Sequence, residues 1–174
     1  FDPEDILLAV MGGFHLGIAS LDEAAAALGR KIDADTLEPV NLKLYQSGQT
    51  LPMSYAGTIF EAMRKLRALV GIAAKDFDLL LTPSLPSTAR PHGEYSTTRE
   101  DLSAEEYMKG DIRLFQYLGV FNVTGQPAIS LPLSRSATGL PVGVQLIADA
   151  AREDLLLRVA AQLEPEDGWP CPAP

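Results

Sequence analysis

Cysteine, histidine and tryptophan are scarce in this chain, which contains one, two and one of them among its 174 residues. A single thiol cannot close an internal disulfide, so the fold does not depend on an oxidising compartment. His15 and His92 are far apart in sequence, and with the lone thiol of Cys171 they do not make a zinc site. We therefore expect no metal, and we expect Cys171, in a proline-rich tail, to be exposed rather than functional.

Basic residues are in the minority. The chain has 14 Lys and Arg against 23 Asp and Glu, a formal net charge of −9. Binding phosphates requires clustered cations that displace counterions, so this balance argues against nucleic acid as a partner, and against anionic membrane surfaces as well. The charges are interspersed rather than grouped in blocks, which indicates that they keep the surface soluble.

Long apolar runs are also missing. No stretch is expected to span a bilayer, and the start, Phe1-Asp2-Pro3-Glu4, does not resemble a signal peptide. The cytoplasm is therefore the expected location. The start lacks an initiator methionine, which is consistent with a chain cut from a longer protein. With 47% apolar residues, the chain is sized for one domain that buries a core.

The first half of the chain predicts four helices. Their expected starts carry a capping residue or a proline in the first turn: Asp2, Ser20, Asp35 or Thr36, and Thr50. We expect Gly12-Gly13 to end or bend the first helix, and Gly29 and Gly48 to close the second and third. The fourth helix has an apolar stripe and a basic, solvated side: Met53, Ala56, Ile59, Phe60, Met63, Leu66 and Val70 against Arg64, Lys65 and Arg67.

The second half predicts three strands interleaved with helices. Leu79–Leu81 is a short apolar run typical of a strand covered on both faces. The segment 83–101 contains several prolines and no regular periodicity, which predicts a long loop. Ser103-Ala104-Glu105-Glu106 is a capping box that opens a helix expected to run to about Gly119. A last helix is expected from Leu155 to Leu163, followed by a loosely held tail, 165–174.

Two stretches near the end organise this pattern. The first stretch is Phe121-Asn122-Val123-Thr124-Gly125-Gln126-Pro127-Ala128-Ile129-Ser130-Leu131-Pro132. The second follows a few residues later and is Gly139-Leu140-Pro141-Val142-Gly143-Val144-Gln145-Leu146-Ile147. Each is typical of a short buried strand entered through glycine and proline, with Pro132 closing the first. Together, in this order, they closely resemble the last two core strands of the amidase signature family, serine hydrolases that act on carbon–nitrogen bonds.

Other segments extend this resemblance over nearly the whole chain: Leu37-Glu38-Pro39, Phe77 to Pro83, and Leu155-Leu156-Leu157-Arg158. The match follows the C-terminal portion of the family and covers only part of the family's length. It implies an α/β fold, with a helix-rich first half followed by strands of a mixed sheet flanked by helices. We expect residues 1–174 to form a single unit of that fold, acting without metal or cofactor.

The resemblance implies acyl transfer by a serine nucleophile, a second serine on a cis peptide, and a lysine base. None of these roles matches a residue here, because the chain has no Gly-Ser-Ser run and no nucleophile elbow. Ser130 lies within a strand sequence with no adjacent base, so we interpret it as a small packed hydroxyl. We expect no catalytic residue, and a fragment that lacks its own catalytic machinery.

Part of the substrate pocket is nevertheless expected. In fatty-acid amide hydrolases and amidotransferase subunits, residues at set distances before the asparagine matching Asn122 touch the substrate. Counted back from Asn122, these positions are Gly119, Phe115 and Ile112, which a continuous helix would place on one face. The alternative is that Met108, Ile112 and Phe115 form only the core stripe of an amphipathic helix. The position of Phe115 is acidic in the amidotransferases and apolar in the fatty-acid amide hydrolases.

The sequence thus predicts the C-terminal part of an amidase, inactive alone, whose parent acts on a small-molecule amide. Its expected partners are the missing N-terminal part of the same protein and further copies of itself, with no nucleic acid and no membrane. Two alternatives stay open. One is the A-type subunit of a glutamine-dependent amidotransferase, and the other is a non-catalytic module that kept the fold and binds a partner.

Overall fold

The computed structural model describes residues 3–169 of the chain, so Cys171 and the end of the predicted tail lie outside the described residues. Ten elements follow one another: α1 (Pro3–Ala19), α2 (Leu21–Ala27), α3 (Pro39–Gln49), α4 (Met53–Ala74), β1 (Leu79–Pro83), α5 (Ala104–Leu114), α6 (Gly119–Thr124), β2 (Ala128–Arg135), β3 (Pro141–Ala148) and α7 (Glu153–Leu163). Helices and an antiparallel sheet make this an α/β protein, as the sequence predicted. The segment between β1 and α5 forms neither helix nor strand.

The chain divides into two compact units. Within the described residues, the first comprises 3–66 and 90–114, and the second comprises 67–89 and 115–169. The first unit is therefore helical, with α1, α2, α3, the beginning of α4, and α5. The second contains the end of α4, the whole sheet, α6 and α7.

A small apolar core joins the helices of the first unit. Val40 and Leu44 on α3 are buried against Met108 on α5, with Met11 and Ile18 of α1 packed on them. The backbone contributes as well, because the Val40 amide donates to the Thr97 carbonyl at 3.0 Å. This contact ties the start of α3 to the long loop.

The first helix does not end at Gly12-Gly13, contrary to the prediction. It continues to Ala19, and Gly12 is buried. A Cβ built on Gly12 would lie 2.5 Å from Cγ1 of Ile59 on α4, so glycine is present here to allow close packing. Glycine weakens a helix through backbone entropy, but the packing of α1 against Ile59 outweighs that cost.

One predicted helix cap and one predicted helix start also differ from the structure. Ser20 precedes α2, but its hydroxyl donates to the Gly17 carbonyl at 2.7 Å and makes no cap hydrogen bond. The third helix begins at Pro39 rather than at Asp35 or Thr36. Thr36 and Asp33 instead bond to each other in the preceding turn, a local hydrogen bond that competes with helix formation.

The sheet of the second unit has three strands in the order β1-β3-β2, both pairs antiparallel. Leu81 on β1 faces Leu146 on β3, and Ile129 on β2 faces the same residue from the other side. Side chains alternate between the two faces of a strand, so this register fixes one apolar face and one face carrying Gln145. Both β1 and β2 are edge strands of the described sheet.

The strand predicted within Phe121–Pro132 begins later and ends later than expected. Its opening residues form the short helix α6, and β2 continues past Pro132 to Arg135. The pairing of β2 with β3 shifts between Leu131 and Ser134, which is where Pro132 falls. A proline cannot donate to the ladder and is tolerated at such a bulge, so Pro132 bends the strand without ending it.

One face of the sheet packs against α7. Leu131, Leu146 and Ala148 are buried with Leu156, and Trp169 packs on the same cluster. The expectation that β1 is covered on both faces is wrong, because the Leu81 side chain is 69% exposed. Leu81 lies at the sheet edge, where α7 reaches β2 and β3 but covers little of β1.

The segment Glu4–Ala27, which comprises most of α1 and all of α2, is long and apolar enough to cross a membrane by length and composition. The expectation that no apolar run has this length is therefore wrong. A single segment of this kind is weak evidence for a membrane span, because the core helix of a soluble protein or a signal sequence passes the same test. In this structure Ala9 is fully buried and Met11 packs on the core of the first unit, but only 12% of the 18-residue apolar window is buried.

Candidate functional site

The candidate site is the face of the sheet opposite α7. Thr82 on β1 faces Gln145 on β3, and Gln145 also faces Ser130 on β2. Ser84, directly after β1, continues the same face, because its amide donates to the Gly143 carbonyl at 2.9 Å. Four polar side chains from three strands therefore lie side by side on one surface. We name Thr82, Ser84, Ser130 and Gln145, with Gly143 between them, the polar face.

Two hydroxyls meet above a glycine at the centre of the polar face. Ser84 Oγ lies 2.5 Å from Ser130 Oγ, a short hydrogen bond between side chains that are 46 residues apart. A Cβ on Gly143 would lie 2.7 Å from Ser84 Oγ and 3.0 Å from Ser130 Oγ. Any other residue at Gly143 would push the hydroxyls apart. Gly143 therefore supplies the space in which they meet.

Gln145 is a buried polar residue, only 4% exposed. Its side-chain amide nitrogen donates to Thr82 Oγ1 at 3.0 Å and to the Tyr117 carbonyl at 2.9 Å. Both N–H groups are thereby satisfied, as a buried amide requires. These bonds attach the turn before α6 to the sheet and fix the orientation of the amide.

The interpretation of Ser130 as a small packed hydroxyl is wrong, since Ser130 is exposed and bonded to Ser84. Ser84 was not among the residues that the sequence singled out. Within 3–169, Ser84 is the hydrogen-bond partner of Ser130 Oγ, and no lysine or histidine is bonded to it. An activated serine nucleophile needs such a base, so this pair is suited to binding rather than to attack. An isolated glycine inside a strand, as at Gly143, was the available signal of a close approach.

The sequence predicted that the three pocket residues share one continuous helix, and this prediction is wrong. Ile112 is part of α5, which ends at Leu114, and Gly119 is the first residue of α6. Phe115 lies in the turn between the helices and accepts hydrogen bonds from the amides of Leu118 and Gly119. Ile112 belongs to the first unit, and Phe115 and Gly119 belong to the second.

Exposure also differs among these residues. Phe115 is 38% exposed, so its ring is not a core residue. Gly119 is buried, and Ile112 is half-buried. The core-stripe alternative is therefore wrong for Phe115, although Met108 does belong to the core. A part-exposed aromatic ring remains available to a ligand.

Arg67 is another residue whose role the sequence did not reveal. It was assigned to the solvated side of α4, but its guanidinium donates to the carbonyls of Val123 and Thr124 at 3.1 and 3.2 Å. These are the last carbonyls of α6, which have no partner inside the helix. A cation at a helix C-terminus also complements the helix dipole, so Arg67 holds α6 in place.

Two half-buried groups have shifted pKa values in the first unit. Burial raises the pKa of the Asp111 carboxyl, which is next to Ile112 on α5. Burial lowers the pKa of His15, whose Nδ1 is buried without a hydrogen-bond partner. Among the residues described here, no three His, Cys, Asp or Glu side chains are grouped so as to hold a metal ion.

Fold and sequence together define the class of protein. A family model described as Amidase matches residues 7–157, and the chain belongs to this family. The match includes all the strands and most of the helices.

The relatives of this chain include a hydrolase and a subunit of an amidotransferase. The 6-aminohexanoate-cyclic-dimer hydrolase of Paenarthrobacter ureafaciens is 33% identical over 150 residues, which is 82% of this chain and 30% of that protein. The A-type subunit of the glutamyl-tRNA(Gln) amidotransferase of a Picosynechococcus species is 35% identical over 127 residues, 69% of this chain and 24% of that protein.

A solved structure agrees with these matches. The structure of a 6-aminohexanoate cyclic dimer hydrolase complexed with substrate superimposes with a TM-score of 0.79 and 28% identity, over 93% of this chain and 34% of that one. The chain thus spans between about a quarter and a third of the length of these relatives.

Proposed function

We propose that this chain contributes core strands and part of the substrate pocket to an enzyme that hydrolyses a small carboxamide. The observation that carries the proposal is the Amidase family match over residues 7–157. The hydrolase relative and the substrate-bound neighbour support the same reaction class. In this family the reaction is expected to proceed through an acyl-enzyme formed on serine, with a second serine and a lysine managing the proton.

The 174-residue chain by itself is proposed to be inactive. Its best-placed serine, Ser130, is bonded to Ser84 rather than to a base. A serine hydroxyl without an adjacent base is a weak nucleophile at neutral pH. The polar face can hold a polar group, but nothing bonded to it would accept the proton that acyl transfer requires.

Activity and serine reactivity of the purified chain test this proposal. We expect no hydrolysis of aryl amides, aryl esters or a cyclic diamide above the buffer rate. We also expect no stoichiometric labelling by a serine-directed fluorophosphonate, judged by intact mass. A known serine hydrolase serves as the positive control. Stoichiometric labelling that disappears in Ser84→Ala or Ser130→Ala would overturn the inactivity of the chain.

Phe115 is proposed to favour an apolar or aromatic acyl group over glutamine. Its ring is part-exposed, and the other two proposed positions, Ile112 and Gly119, carry no charge. An ammonium group buried without an acidic partner would cost several kcal/mol, so an aromatic wall disfavours glutamine. In the complete enzyme, Phe115→Asp should lower kcat/KM for aryl amides relative to glutamine. An unchanged ratio, or wild-type preference for glutamine, would contradict this role.

The second candidate is an amidotransferase component, which would deliver ammonia to another active site. The observation in its favour is the 35% identity to the A-type subunit of a glutamyl-tRNA(Gln) amidotransferase. Glutaminase activity of the complete protein that increases when partner subunits are added would favour this candidate. Hydrolysis of aryl or cyclic amides without partners would favour the amide hydrolase.

A further inference from the structure

The polar face occupies only part of its side of the sheet. The register also places Leu80, Ile147 and Ala128 on this side, and Ile147 is buried. The other side carries the apolar cluster under α7, whereas the polar face presents two hydroxyls and a buried amide. Ser130 is exposed and Ser84 is half-buried, so the hydroxyl pair is accessible from outside.

Gly143 maintains this arrangement for a steric reason. Its φ does not lie in the left-handed region, so the backbone does not require glycine there. A Cβ would instead collide with both hydroxyls, at 2.7 and 3.0 Å. In a strand, glycine weakens packing and often marks a place where another group approaches closely. At Gly143, that space is occupied by the two serine hydroxyls.

The hydrogen-bonding capacity of the polar face follows from its contacts. Each serine hydroxyl has one donor and two acceptor lone pairs, and the bond between Ser84 and Ser130 uses one donor. One O–H donor and several lone pairs therefore remain. The neighbouring Gln145 has both N–H groups engaged, which leaves its carbonyl oxygen as an acceptor. Directly opposite residues in antiparallel strands have Cβ atoms about 5 Å apart, so Ser130 and Gln145 are close enough to share a ligand.

We propose that Ser84 and Ser130, with the carbonyl oxygen of Gln145, form a binding site for a carboxamide group. The free hydroxyl proton donates to the carboxamide oxygen, and the remaining acceptors receive the carboxamide N–H. This proposal rests on the proposed function only for the class of ligand, a carboxamide. Binding is a property of this chain itself, so its failure is distinguishable from a failure of catalysis by the complete enzyme.

The test is a titration of the isotope-labelled chain with benzamide, followed by the backbone amide signals of Ser84, Ser130 and Gly143. Acetophenone is the matched probe, with the same ring and carbonyl but no N–H donor. Benzamide is expected to shift these three signals, and acetophenone is expected to bind about fivefold more weakly, because one hydrogen bond is lost. The double variant S84A/S130A is expected to weaken benzamide binding about tenfold.

Two further variants separate binding from strand stability. Ser134→Ala removes an exposed hydroxyl from β2 beyond the bulge and is expected to bind benzamide like the wild type. Gly143→Ala closes the space and is expected to abolish the shifts. If Gly143→Ala does not fold, the serine variants decide the question. Equal binding of the two probes, unchanged affinity in S84A/S130A, or no shift at millimolar benzamide would each overturn the site.

Discussion

Gly12 of α1 lies so close to Ile59 of α4 that a Cβ on the glycine would be 2.5 Å from Ile59 Cγ1. Ile59 is 1% exposed, so its side chain has little room to move away. The contact lies wholly within the first unit and sets how closely the two helices approach. It also explains why a helix can contain Gly12-Gly13 without ending there.

The first prediction follows from this contact. Gly12→Ala is expected to lower the free energy of unfolding by about 1–3 kcal/mol, because an extra methyl group overpacks a well-filled site. Gly17→Ala is the matched control on the same helix, since nothing lies within 4 Å of its added Cβ. Alanine at Gly17 should stabilise the chain by about 0.5–1 kcal/mol through backbone entropy. Urea denaturation measures both, and equal effects of the two variants would show that Ile59 does not restrict position 12.

The second prediction concerns the capping box at the start of α5. Ser103 Oγ accepts from the Glu106 amide at 3.2 Å, and the Ser103 amide donates to the Glu106 carboxylate at 2.9 Å. Ser103→Ala is expected to cost about 1 kcal/mol of stability, because an orphan amide of the first turn loses its partner. Ser103→Thr should keep most of the stability, since threonine also caps. The same loss in both variants would point to packing rather than to the cap.

The third prediction is a dependence of stability on pH through His15. Burial lowers the pKa of His15 below its usual 6.5, so the unfolded chain takes up this proton before the folded chain does. The stability that His15 contributes is complete above about pH 7. It is lost as the pH falls through 6.5 towards the lowered pKa in the folded state. His15→Leu removes this loss and should flatten the change in stability between about pH 7.5 and 5.5.

Urea denaturation at the two pH values measures this difference. Burial raises the pKa of Asp111, so its effect on the pH dependence of stability is opposite to that of His15. The destabilisation caused by its buried charge decreases as the pH falls. It is present in both proteins, so its contribution cancels in the comparison of wild type with His15→Leu. An identical pH dependence in the two proteins would contradict the role of His15.

The fourth prediction concerns the exposed edge strand β1. Leu81 is 69% exposed on a strand whose outer edge is unpaired in the described sheet, and such edges favour association. We expect the chain to form oligomers or to bind an apolar fluorescent dye, and Leu81→Lys to reduce both. Thr138→Lys, in the exposed turn before β3, controls for the added charge. Light scattering that gives a monomer at high concentration, with no dye binding, would refute the prediction.

Local patterns in the sequence predicted a large part of the fold. The capping box of Ser103 and Glu106 is confirmed, because its partners are three residues apart and need no other part of the chain. The long α4, the strand positions β1 and β3, and the last helix are confirmed for the same reason, since their periodicity is contained in the segments themselves. The α/β class and the Amidase family followed from the paired stretches that form β2 and β3.

The polar face was not predictable in this way. Ser84 and Ser130 are 46 residues apart in sequence, and Arg67 is 57 residues from the Thr124 carbonyl that it caps. Neither residue type nor spacing indicates such a pairing. The turn that interrupts the predicted helix after Leu114 is attached to the sheet through Gln145, which again lies far along the chain.

The sequence by itself determined the helices and strands whose signals are local, the family, and the scarcity of histidine and cysteine. Tertiary structure decided that the first helix continues through Gly12, that Leu81 is exposed, and that the hydroxyls of two distant serines meet above Gly143. The physical reason is that caps and hydrophobic periodicity act over a few residues. A close contact between distant side chains exists only after strands and helices have packed in one register.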